Sequence, residues 1–64
     1  MNSYVVHRIL QVGTRQLLLV QPDSYSFNLA VYDEHTGQTL MRIADCTLEQ
    51  FKATIALLEA HNDV

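Results

Sequence analysis

Most devices that staple a small chain together are missing from this one. It has a single cysteine, Cys46, in 64 residues, so an intramolecular disulfide is excluded. His7, His35, Cys46 and His61 include no close pair of the kind structural zinc sites use, with ligands about two to four residues apart, so no metal is expected. Two glycines and one proline leave no glycine-rich loop to cradle a phosphate. No serine lies in a nucleophile-elbow pattern. Apolar runs such as Leu17-Leu18-Leu19-Val20 are far too short to cross a bilayer. Met1-Asn2-Ser3-Tyr4 has neither a basic cluster nor a long apolar core behind it, so no signal peptide is expected. A lone thiol without an export signal points to a reducing compartment, and the cytoplasm is the expected location.

Basic charge is also scarce, with four Lys and Arg against seven Asp and Glu for a net charge of −3. Residues 1–22 hold Arg8 and Arg15 and no acid. Residues 23–64 hold Arg42 and Lys52 against all seven acids, a net of −5. Acids gathered in turns and on a helix face keep a domain soluble and steer encounters without defining a partner.

What is present is 48% hydrophobic residues, ordinary for a globular fold and too many for a disordered tail. The expected organisation is one domain spanning residues 1–64. Tyr4 to Val12 is rich in β-branched residues and ends at Gly13-Thr14, a tight turn. Arg15 to Val20 follows and stops at Gln21-Pro22-Asp23-Ser24, where proline presets φ and Asp23 and Ser24 can bond nearby backbone. Tyr25, Phe27, Leu29 and Val31 then alternate with Ser26, Asn28, Ala30 and Tyr32, the period of a half-buried strand. Residues 33–37 read as a hairpin loop with Gly37 free to take positive φ. Gln38 to Ala44 returns as a fourth strand, with Met41 and Ile43 on one face and Leu40 and Arg42 on the other.

Thr47-Leu48-Glu49-Gln50 fits a capping box, and Glu49 adds favourable charge near the positive end of the dipole. The helix it opens is expected over 47–61, with Asn62 as a C-terminal cap. At about 100° per residue, Leu48, Phe51, Ile55 and Leu58 fall on one stripe, the face that should cover the sheet. The fold class is therefore α+β: a small four-stranded antiparallel sheet, β-β-β-β-α, with one C-terminal amphipathic helix packed on one face.

Two features exceed what a monomer of that design can bury. Leu57 lies opposite the inward stripe, flanked by Ala53 and Ala60. One helix also covers one sheet face only, and the first two strands are apolar on both, which should leave Leu10, Leu18, Ala30, Tyr32 and Leu40 partly exposed. A chain this short buries only about 60% of its unfolded surface, so a second subunit is the available supplement. The expected interface residues are Ala53, Leu57, Ala60, Tyr32 and Leu40.

Catalysis is not expected, and no catalytic residue, metal or cofactor is assigned. Cys46 sits just before the helix, but no histidine or orienting partner is placed beside it, so it reads as a half-buried junction residue. Asp33 and Glu34 share a solvated hairpin tip rather than an apolar pocket. The expected role is an interaction module (regulatory, adaptor or inhibitor) acting as a homodimer and presenting a surface to another protein. The alternative is a single-stranded nucleic-acid-binding dimer, for which Arg8, Arg15, Arg42 and Tyr32 are the candidate contacts. Four strands followed by the helix opening at Thr47-Leu48-Glu49-Gln50-Phe51 resemble the small bacterial relatives of the transcriptional coactivator positive cofactor four. That family forms single-stranded-DNA-binding dimers joined partly through their helices, and the resemblance implies the same for this chain. Where that family carries a basic, glycine-containing stretch before its helix, this chain has Arg42-Ile43-Ala44-Asp45-Cys46, with one cation and an acid.

Overall fold

The computed structural model describes residues 4–61. Four strands, β1 (Val5–Val12), β2 (Arg15–Gln21), β3 (Asn28–Asp33) and β4 (Gln38–Ile43), form one antiparallel sheet in sequence order, and α1 (Leu48–His61) follows. The α+β architecture is the one expected. The proposed cap at Asn62 lies outside the described residues.

Turn chemistry sets the sheet order. Gly13 opens the two-residue β1–β2 loop at φ 62 while Thr14 keeps negative φ, the pattern of a II′ hairpin whose twist matches the strands. In the β3–β4 loop, Gly37 at φ 74 donates its backbone N–H to the Asp33 carbonyl at 2.8 Å, and the Asp33 carboxylate accepts from the His35 N–H at 2.9 Å. The β2–β3 connection is longer than the alternation of residues 25–32 suggested. The Asp23 carboxylate accepts from the Tyr25 N–H at 2.8 Å and closes an Asx turn, so β3 begins only at Asn28 and Tyr25 is 92% exposed. The hydrogen bonds from Tyr25 and Ser26 hold the Asp23 carboxyl below its ordinary pKa.

Two bulges decide which residues face the helix. In β1, Arg8 pairs with Leu18 but Leu10 pairs with Leu17, so Ile9 is extra. In β4, Met41 pairs with Val31 but Thr39 pairs with Tyr32, so Leu40 is extra. An inserted residue shifts the alternation by one position. Leu10 and Val12 therefore join Leu17, Leu19, Leu29, Val31, Met41 and Ile43 on the helix side. Of the five residues expected on the helix-free face, Leu10 and Leu40 move to the other side; Leu18, Ala30 and Tyr32 stay.

The capping box forms as drawn from the sequence: the Gln50 N–H donates to the Thr47 hydroxyl at 3.1 Å, and the Thr47 N–H donates to the Gln50 side-chain oxygen at 2.8 Å. Before it, Asp45 takes φ 52, with its N–H bonded to the Asn28 side chain and the Cys46 N–H to the Phe27 carbonyl. Those two bonds fold the chain back across the sheet. Leu58 and Thr54 are the deepest helix residues, with Phe51 and Ile55 half-buried beside them, and the Thr54 hydroxyl donates to the Gln50 carbonyl at 2.8 Å. Leu48 does not join the covered face and is 67% exposed. Its azimuth matches Ile55, but it is the first residue of α1. It borders a shallow hollow of about 250 Å³ with Leu19, Phe27, Cys46 and Phe51.

Candidate functional site

Alternation places the residues between the core positions on the face that α1 leaves open, and the strand registers arrange them in three rows. Val6, Val20 and Asn28 form the first row. Arg8, Leu18, Ala30 and Arg42 form the second, running from one edge strand to the other. Gln11, Gln16, Tyr32 and Thr39 form the third. The first two rows apart from Arg8, with Tyr4, Thr39 and Ala44, line an open hollow of about 550 Å³.

The middle row is two apolar side chains between two guanidinium groups. Three strand spacings of about 4.8 Å separate Arg8 from Arg42, roughly 14 Å across the sheet. Long cationic side chains at sheet edges also discourage indiscriminate edge pairing. The third row ends in a fixed carboxylate. Glu34 is anchored by its backbone N–H, which donates to the Thr14 carbonyl at 2.9 Å. Its two carboxylate oxygens accept from the Gln11 amide at 2.6 Å and the Gln16 amide at 3.1 Å. Gln16 also donates to the Gln11 side-chain oxygen at 3.5 Å and is only 9% exposed. The two neutral amides hold the carboxylate at a defined position.

The helix side has a smaller opening. Leu40 and Leu57 meet there with Arg15, Val31, Met41, Thr54 and Leu58 around a groove of about 170 Å³. The bulge at Leu40 brings it to this groove.

The expected interface residues are thus divided. Leu40 and Leu57 share the groove, Ala53 and Ala60 are exposed on the helix, and Tyr32 lies on the helix-free face with its hydroxyl near Gly37. Of the candidate nucleic-acid contacts, Arg8, Arg42 and Tyr32 share the helix-free face, and Arg15 lies across the sheet at the groove. The sequence reading missed the Gln11–Gln16–Glu34 cluster. Its assembly depends on the β3–β4 loop touching the β1–β2 turn, for which no local pattern exists. The consecutive apolar pairs Ile9-Leu10 and Leu40-Met41 coincide with the bulges, but Val5-Val6 and Leu17-Leu18-Leu19-Val20 carry the same sign without one.

Among the described residues, no group of three or more His, Cys, Asp or Glu side chains could hold a metal ion. His7 Nε2 instead hydrogen-bonds the Gln21 side chain at 2.9 Å, tying together the open end of the first hairpin. Among the described residues no helix is long and apolar enough to cross a membrane. The helix-free face offers apolar area, two guanidinium forks and one positioned carboxylate, which is recognition chemistry. Comparison with protein-family models, with curated proteins and with solved structures gives no match to this chain.

Proposed function

We propose that this chain is a small non-enzymatic interaction module, of the regulatory, adaptor or inhibitor type, that works in the cytoplasm as a homodimer and presents a surface to another protein. The observation that carries this reading is the uncovered sheet face, where exposed Val6 and half-buried Leu18, Val20 and Ala30 line a hollow with Tyr4. Its force comes from the balance of burial. Among the described residues, four hydrophobic side chains, Leu17, Leu29, Val31 and Leu58, are buried, while nine large ones stay exposed, of which Tyr4 and Val6 border the open face. Scattered apolar residues on a surface are normal, but a contiguous face of them marks an association site. Closed two-fold dimers are the commonest way to cover such a face. Sedimentation equilibrium at micromolar concentration tests this: the expected mass is twice 7.3 kDa, and a mass that stays at the monomer value at every concentration overturns it.

A second reading, single-stranded nucleic-acid binding, is favoured by one observation: Arg8, Arg42 and Tyr32 share the open face. Two guanidinium groups neutralise few phosphates, and Glu34 fixes an opposing charge beside them. Tyrosine quenching by an oligonucleotide that fades steeply between low and moderate salt would favour this reading over the first.

A further inference from the structure

We draw no further inference here: the strongest candidate, the helix-free sheet face with its row of Arg8, Leu18, Ala30 and Arg42, belongs to the surface already described, and nothing in the structure shows what covers it.

Discussion

Shortening Leu58 to alanine should remove between about a third and all of the stability of the domain. Leu58 is 5% exposed and is the one helix residue in the buried cluster with Leu17, Leu29 and Val31. Buried Leu→Ala changes cost about 2–5 kcal/mol, the spread depending on how far the site collapses. The groove beside Leu58 lets Leu57 and Met41 move inward, so the lower half of that range applies, about 3 kcal/mol. A chain of this size is stable by roughly 3–10 kcal/mol at the usual per-residue value. With a urea slope near 1 kcal/mol/M for the smallest domains, the midpoint should fall by about 3 M. Urea titrations followed by circular dichroism read this directly, all at one protein concentration because association shifts apparent stability. Leu48→Ala is the control: it removes the same atoms from a residue 67% exposed and should move the midpoint by less than about 0.5 M. If Leu58→Ala changes the midpoint as little as that, or Leu48→Ala as much as 3 M, the placement of α1 on the sheet is wrong.

Thr47→Ala removes the acceptor for the Gln50 N–H and should cost about 1 kcal/mol, visible as a lower thermal midpoint, while Thr47→Ser should retain most of it. Asp23 titrates below its ordinary value because the Tyr25 and Ser26 hydrogen bonds favour the carboxylate. The sign follows from linkage: the folded value is lower than the unfolded one, so the contribution is fully present above the unfolded pKa and is lost as pH falls through the folded one. Carboxyl chemical shifts should give Asp23 a midpoint below that of a peptide aspartate, and Asp23→Asn should abolish the acid-dependent change in the Tyr25 amide; a midpoint at the ordinary value would remove the Asx turn from the account.

The fold was legible where the signal is local. The hairpin at Gly13, the loop at Gly37 and the capping box at Thr47 depend on residues within four positions of one another, and each forms as the residue types demand. Legibility failed where a competing local bond or a distant partner decides. Tyr25 and Phe27 continue the strand pattern perfectly well in sequence, but the Asp23 carboxylate captures the Tyr25 N–H, and a turn cannot also be a ladder rung. Leu48 has the azimuth of half-buried Ile55 and yet is 67% exposed at the start of α1, a difference helical periodicity does not contain. For the candidate site, an excess of apolar surface could be counted in the sequence, whereas its division between two sides of the sheet could not. One bulge residue moved Leu40 from the open face to the groove beside Leu57, and another moved Leu10 into the core. Arg8 and Arg42 are far apart in the chain and come into one row only through three strand registers.

The central claim is that the helix-free face is the surface covered in the working assembly, and side-chain methyl relaxation by an inert, water-borne paramagnetic agent tests it most directly. At a concentration where the chain associates, the methyls of Leu18, Val20 and Ala30 should be shielded, and those of Leu40 and Leu57 should relax strongly. Dilution should expose the first set and leave the second unchanged. Strong relaxation of Leu18 and Ala30 at every concentration, with Leu40 and Leu57 shielded instead, would contradict the account.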